Sequence, residues 1–140
     1  MFIVVDVNVI LSALVSRGNS SRFFVLNARE NMFNLIAPQF IIIEAGKHLI
    51  EIAERSGLPI EECQKDLEFI INQIKLIQEL YYEDKLEEAR VILAEHQKDV
   101  PYLALALKYD CKIFSGDKNL KTIVPEMVKN SKELLLEFDS

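Results

Sequence analysis

The sequence predicts an α/β fold with a mostly parallel central sheet and helices on both faces. The prediction rests on short, continuous apolar runs that alternate with segments whose apolar residues keep helical spacing. Half of the 140 residues are hydrophobic, and only 4 Gly and 4 Pro interrupt them. This composition excludes a disordered protein, and the length suits one domain over residues 1–140.

The expected strands are apolar runs bounded by turn or helix signals, and the first of them fits a strand buried on both faces. They are Phe2–Val5, residues 35–37, a segment near residues 75–78, and residues 112–115. The expected helices keep their apolar residues on one face. They cover about residues 7–16, 20–29, 38–55, 59–74, 86–93, 102–109 and 131–138.

Local signals set the ends of these helices. Ser20 or Ser21 is expected to cap the second helix, because a serine oxygen accepts from the free N–H groups of a first turn. Pro38 ends the second strand and suits the first turn of the third helix. Gly57 can adopt the left-handed conformation that ends that helix, and Pro59 marks the start of the next one.

Two acidic residues stand where parallel sheets place their ligands, beyond the carboxyl ends of the strands. Asp6 directly follows the first expected strand, and Asp117 follows the last one across the turn at Ser115 and Gly116. An Asp at a strand-to-helix junction is also a common cap. Each residue alone therefore leaves a purely capping role open.

Two further acids, Asp99 and Glu44, lie in expected helices. Asp99 stands beside Pro101 in a first helical turn, where an acid favoured by the helix dipole is an equal alternative. Glu44 follows residues 40–43, FIII, which we expect to be buried all round their helix. A glutamate in such a turn needs a partner, and Lys47 is the nearest cation.

The four acids together are more specific than any one of them. Two carboxylates about 5 Å apart repel by roughly 3 kcal/mol at an effective dielectric near 20, so a fold that gathers four must protonate some or bind cations. Oxygen ligands favour Mg²⁺ or Mn²⁺, which serve phosphodiester hydrolysis. The net charge of -6 does not exclude such a nuclease, because bound cations change the local sign.

Three segments resemble motifs of the PIN-domain nucleases. Residues 4–14 read VVDVNVILSAL, residues 98–106 read KDVPYLALA and residues 115–120 read SGDKNL. The resemblance spans residues 1 to about 138 and implies a PIN-like three-layer α/β/α fold with a short central sheet. It also implies Mg²⁺- or Mn²⁺-dependent hydrolysis of single-stranded RNA. The catalytic, metal-binding acids that it implies are Asp6, Glu44, Asp99 and Asp117, with Glu44 assigned by order and context.

The resemblance also implies supporting residues and partners. Asn8 and Ser115 would be polar neighbours that orient a carboxylate or a water on the metal, and Ser115 stands where Thr is frequent in the family. Many relatives of this size are VapC-type toxins, which an antitoxin encoded beside them holds in check, so an antitoxin is a candidate partner. Basic residues near Asp6 and Asp117 are candidate phosphate contacts, with plain solvated charge as the alternative for each: Arg17, Arg22, Lys118 and Lys121.

Surplus apolar residues predict a surface for a second copy or an antitoxin. Residues 69–71, with Tyr81 and Tyr82, exceed what one helix face can bury, so we expect a homodimer. The first residues show no signal peptide or membrane span, so we expect a cytoplasmic protein.

Two other functions stay open at this point. One is a catalytically inactive PIN-like module that binds RNA or protein, which the retention of all four acids disfavours. The other is an α/β phosphatase or signalling domain, which Asn8 disfavours because such enzymes need a second carboxylate beside Asp6.

Overall fold

The computed structural model describes residues 1–139 and is built around a five-stranded, all-parallel sheet. The spatial order of its strands is β3-β2-β1-β4-β5. In chain order they are β1 (Phe2–Val5), β2 (Asn34–Pro38), β3 (Ile74–Ile77), β4 (Lys112–Phe114) and β5 (Val128–Lys129). The predicted α/β class with a parallel sheet is confirmed.

Helices connect the strands, as parallel pairing requires. They are α1 (Val7–Val15), α2 (Asn19–Glu30), α3 (Ile41–Lys47), α4 (Leu49–Ser56), α5 (Ile60–Ile71), α6 (Leu86–Leu93), α7 (Val100–Tyr109), α8 (Lys118–Ile123) and α9 (Ser131–Glu137). Short 3-10 segments lie at Glu79–Tyr81, Glu83–Lys85 and Gln97–Asp99. Within residues 1–139, no helix is long and apolar enough to cross a membrane.

The sheet is covered on both faces. Successive residues of a strand point to opposite faces, and both members of the pairs Val4–Val5 and Ile113–Phe114 have no exposed surface. Helix α7 packs against β1, β2 and β4. Elsewhere Phe114 meets Phe23 of α2 edge-on, with ring centroids 4.6 Å apart.

The strand order reverses at β1. The chain first moves outward from β1 through β2 to β3, and then returns to β4 and β5 on the other side of β1. Connections therefore leave β1 and β4 in opposite directions, which opens a crevice beyond their carboxyl ends. Open α/β sheets bind their ligands at such a reversal.

Helix ends differ from the expectation at several points. Ser20 and Ser21 do not cap α2, because the helix already begins at Asn19 after Gly18. Pro38 is the last residue of β2 and not the start of a helix. The single helix expected over residues 38–55 is two helices, α3 and α4, interrupted at His48. Gly46 precedes this break by two residues, and glycine weakens a helix by about 1 kcal/mol relative to alanine.

Other differences concern short elements and burial. Ile74, expected in a helix, is the first residue of β3, while α8 and the two-residue β5 were not expected. Residues 40–43 are not buried all round: Ile41 is fully buried, but Ile42 is 45% and Ile43 62% exposed. Helix α3 has seven residues and buries only one side, so its apolar run continues onto the surface.

Candidate active site

The carboxyl ends of β1 and β4 bring Asp6 and Ser115 side by side. The backbone N–H of Asp6 donates to the carbonyl oxygen of Phe114 at 3.0 Å, which extends the pairing of the two strands by one residue. Ser115 Oγ then donates to Asp6 Oδ2 at 2.7 Å. Both residues are only 1% exposed. This buried hydrogen bond fixes one oxygen of Asp6 at the floor of the crevice.

Asp117 lies next to this pair. Its backbone N–H donates to Ser115 Oγ at 3.1 Å, so one hydroxyl joins the two acidic residues. Its Oδ1 caps α8 by accepting from the backbone N–H groups of Asn119 at 2.8 Å and Leu120 at 3.1 Å. Its Oδ2 lies 3.7 Å from Lys98 Nζ, at the more exposed side of the crevice.

Asp99 reaches the same crevice from the turn before α7. It ends the 3-10 segment Gln97–Asp99 and occupies the N-cap position of α7, although its side chain makes no capping hydrogen bond. The residue is 4% exposed, and its Oδ2 is buried without a hydrogen-bond partner in residues 1–139. A buried carboxylate oxygen without a donor is costly, so this atom calls for a proton or a cation.

Burial and mutual repulsion raise the pKa values of these acids. The pKa of Asp99 is raised to about 6, first by burial and then by the negative charges of Asp117 and Asp6. Burial also raises the pKa of Asp6, and the charge of Asp117 adds to it, while the hydrogen bonds from Asn8 N–H and Ser115 oppose the shift. We call Asp6, Asp99 and Asp117 the acid cluster, because the charge of Asp117 raises the pKa of both Asp6 and Asp99.

Tyr102, a residue that sequence reasoning did not select, lies among these acids. Its buried hydroxyl accepts from the backbone N–H of Val7 at 3.3 Å and so ties α7 to the start of α1. Burial raises the pKa of Tyr102, and the charges of Asp6, Asp99 and Glu44 raise it further. The signal in the sequence was its position three residues after Asp99, on the same face of a helix.

Glu44 stands at the rim of the crevice and not within the hydrogen-bonded cluster. Its helix, α3, follows β2 and therefore starts at the same edge of the sheet. Its side chain is 41% exposed, and Oε1 lies 3.4 Å from Lys47 Nζ. The negative charge of Glu44 adds slightly to the raised pKa of Tyr102, so Glu44 lies within electrostatic range of the Tyr102 hydroxyl.

The other candidate residues are spread more widely. Lys121 forms an ion pair with Glu133 of α9, which must be broken or shared before Lys121 contacts a phosphate. Lys118 is exposed at the start of α8, beside Asp117. Arg17 and Arg22 are exposed around the α1–α2 turn, and Arg17 lines a separate cavity of about 320 Å³.

The backbone and the side chain of Asn8 differ in their contacts with the acids. Its backbone N–H donates to Asp6 Oδ1 at 3.0 Å, whereas its exposed side chain makes no hydrogen bond to a carboxylate in residues 1–139. Ser115, by contrast, contacts Asp6 and Asp117 directly. Of the two supporting residues expected, only Ser115 has its side chain in the cluster.

The acid cluster suits a divalent cation in chemistry and charge. Asp99 Oδ2 has no hydrogen-bond donor in residues 1–139, and the charge of Asp117 adds to burial in raising the pKa values of Asp6 and Asp99. In residues 1–139, no three His, Cys, Asp or Glu side chains are drawn together closely enough to enclose an ion. Mg²⁺ commonly uses one or two carboxylates and keeps several waters, so an open arrangement of this kind is compatible with it.

The raised pKa of Asp99 predicts how stability depends on pH without metal. Between pH 3.8, its ordinary pKa, and about pH 6, the folded protein keeps a proton that the unfolded chain has lost. Unfolding free energy should therefore fall by about 2 kcal/mol over this interval as pH rises. In urea titrations with EDTA, Asp99→Asn should lack this part of the fall. Parallel pH profiles for the two proteins would contradict the assignment.

Comparison with known families identifies the family to which this fold belongs. A sequence model of the PIN domain matches residues 4–134, which include the acid cluster and Glu44. No curated protein gives a match to the chain. PIN domains are generally nucleases, and the match extends over almost all of the sheet and its helices. The chain belongs to the PIN-domain family.

Proposed function

We propose that this PIN domain is a metal-dependent endoribonuclease that hydrolyses phosphodiester bonds of single-stranded RNA with Mg²⁺ or Mn²⁺. The observation that carries the proposal is Asp99 Oδ2, which is buried without a hydrogen-bond partner in residues 1–139, beside two further carboxylates at the reversal of the sheet. A compensating cation there would lie where open α/β sheets bind ligands. Family membership supports the nuclease class, while the metal and the RNA are our inference.

Each acid has an oxygen left for a metal. Asp99 Oδ2 has no donor in the described part of the chain, and Asp117 Oδ2 faces only the ammonium of Lys98. Asp6 Oδ2 accepts one hydrogen bond from Ser115 and keeps a second lone pair. When bound, the metal would stabilise charge on the phosphate oxygens and lower the pKa of a water.

The protein itself supplies positioning. Ser115 accepts from the N–H of Asp117, so its own proton points to Asp6 and orients that carboxylate. Tyr102 holds the start of α1 against α7 and keeps its own hydroxyl proton for donation inside the crevice. Glu44 would join from the rim by leaving Lys47, since an exposed pair of this kind contributes only about 0–1 kcal/mol.

Asp6→Asn tests the proposed reaction. Asn keeps an oxygen to cap α1, so the fold should be retained, whereas the lost charge should reduce RNA hydrolysis by more than about 100-fold. The unfolding free energy without metal should be equal to wild type or higher, and the rise in melting temperature caused by Mn²⁺ should shrink.

The matched control is Asp66→Asn, which makes the same change on the exposed face of α5. It should cut RNA and respond to Mn²⁺ like wild type. Wild-type cleavage by the Asp6→Asn protein in Mn²⁺ would show the carboxylate mechanism to be wrong. An RNA-binding protein that cuts nothing under any metal would instead favour the inactive binding module.

Lys98→Met tests whether the cluster is a cation site. The ammonium of Lys98 lies 3.7 Å from Asp117 Oδ2. A metal bound to that oxygen must therefore displace the ammonium or bind against the repulsion of its positive charge. Removing a competing charge worth roughly 1 kcal/mol should tighten Mn²⁺ binding about fivefold, measured by calorimetry. Lys65→Met, an exposed change on α5, should leave the affinity as it is. An unchanged or weaker affinity in Lys98→Met would argue against metal binding beside Asp117.

We further propose a homodimer. Of the residues expected to form its surface, Ile70 and Tyr82 are buried in the core, while Phe69 and Tyr81 are exposed. Additional apolar side chains are exposed on α3 and α4 and at the residue before α3, namely Phe40, Ile42, Ile43 and Ile50. The exposure of these four side chains supports an apolar contact between two copies better than residues 69–71, Tyr81 and Tyr82 do.

Sedimentation should therefore find a dimer at high micromolar concentration. Ile43→Asp places a charge in the middle of the exposed α3–α4 residues and should shift the equilibrium to monomer. Val91→Asp, a change on α6 at a residue that is 73% exposed against 62% for Ile43, serves as the control. A monomeric wild-type protein at that concentration would refute the proposed dimer.

A toxin role, with an antitoxin as partner, is the cellular extension of this proposal. It requires that expression of the wild-type chain in the cytoplasm arrests growth, that Asp6→Asn does not, and that the product of a neighbouring gene relieves the arrest. An active enzyme whose expression leaves growth unaffected would be a ribonuclease without this role.

A further inference from the structure

Helix α1 carries a narrow polar strip beside the acid cluster. Apart from Asn8 and Ser12, every residue of α1 is apolar. These two residues and Ser16, which follows the helix, are spaced four apart, lie on one face and are exposed. Neither the carboxamide of Asn8 nor the hydroxyl of Ser12 has a hydrogen-bond partner in residues 1–139. We call Asn8, Ser12 and Ser16 the α1 ridge.

Two clefts flank the α1 ridge. The Asp117 cleft, of about 430 Å³, extends from the ridge to Asp117 and Gly116 of the proposed active site. The α1–α4 cleft, of about 420 Å³, lies on the other side and is lined by His48, Glu51 and Arg55 of the α4 region. Asn8 and Ser12 line both clefts. A chain-like ligand can therefore pass from the active site over the ridge into the α1–α4 cleft.

The α1–α4 cleft has the groups that bind a phosphate. The Arg55 side chain is 64% exposed, and its nearest acidic partner is Glu51, with Nη1 and Oε1 3.8 Å apart. That distance is too long for a hydrogen bond, so the donors of the guanidinium fork stay available. His48 Nδ1 lies 3.5 Å from the other oxygen of Glu51. The carboxylate of Glu51 thus lies near both basic side chains at the cleft. Its negative charge also repels a phosphate that enters the cleft.

We propose that the α1–α4 cleft is a nucleotide subsite for the RNA strand cut at the acid cluster. The strand crosses the α1 ridge, where Asn8 and Ser12 hydrogen-bond base edges or ribose hydroxyls, and the adjoining nucleotide enters the cleft. Arg55 contacts its phosphate, for which a guanidinium is a good charge-assisted donor. The inference rests on the proposed function and adds a subsite that holds the substrate away from the acids.

An ordinary surface ion pair is the competing explanation of Glu51 and Arg55, since they are four residues apart on one helix. The two explanations predict different signs. If the two residues only stabilise α4, both Arg55→Gln and Glu51→Gln slightly lower the free energy of unfolding and do not change the affinity for RNA. If Arg55 binds phosphate, removing Arg55 weakens RNA binding, whereas removing Glu51 strengthens it.

The test measures binding of a short, fluorescein-labelled single-stranded RNA of mixed sequence by fluorescence anisotropy. Asp6→Asn protein serves as the common parent, so that the RNA stays intact. Arg55→Gln in this parent should weaken binding several-fold and reduce the slope of log affinity against log salt by about 0.7, the value for one phosphate contact on a single strand. Glu51→Gln should tighten binding. Ser12→Leu places a larger side chain without a hydroxyl on the α1 ridge. It should weaken RNA binding without changing the salt slope, because no charge is removed.

The matched control is Arg29→Gln, which removes the same charge from the last turn of α2, outside both clefts. It should retain the salt slope of the parent. In the otherwise wild-type enzyme with Mn²⁺, Arg55→Gln should raise KM several-fold and change kcat less than twofold. Equal effects of Arg55→Gln and Arg29→Gln in an enzyme that cuts RNA would overturn the subsite alone. A protein that neither binds nor cuts RNA would overturn the subsite and the proposed function together.

Discussion

The hydrogen bond from Ser115 Oγ to Asp6 Oδ2 is the contact on which the candidate site depends. It joins the residue after β1 to the residue after β4, at the one place in the sheet where the direction of connection reverses. Because the same oxygen accepts from the N–H of Asp117, a single buried hydroxyl sets the relative positions of two acids. The parallel pairing of β1 with β4 makes this contact possible, since it brings both carboxyl ends to one level.

The fold holds the three carboxylates of the acid cluster together despite their mutual repulsion and the cost of burying them. Burial raises the pKa values of Asp6 and Asp99, and the proximity of Asp117 raises both further. Backbone N–H groups offset part of this cost for Asp6 and Asp117, but Asp99 Oδ2 receives no hydrogen bond within residues 1–139. A site whose negative charge is incompletely compensated in the free protein has more to gain from a bound cation, and such imbalance is common where proteins bind ligands.

Sequence patterns were sufficient for the fold class and for the positions of Asp6 and Asp117 in the fold. Continuous apolar runs mark buried parallel strands, and an acid directly after such a run must lie at their carboxyl end. Patterns were not sufficient for Tyr102 or Lys98, whose positions depend on how α7 packs across the sheet. The two residues of β5 are too few to show a period. The exposure of Ile42 and Ile43 could not be foreseen either, because an apolar run does not reveal which neighbours cover it.

Capping and chemistry are not alternatives at Asp6 and Asp117. Each uses Oδ1 to accept backbone N–H groups at the start of a helix, and each keeps Oδ2 for the crevice. The cap fixes the carboxylate in one orientation, so the fold determines the direction of its second oxygen. Glu44, which caps nothing and has a longer, exposed side chain, lacks this restraint. In the sequence, Asp6 and Asp117 were located by the strands that they follow, whereas Glu44 was assigned only by its order and context.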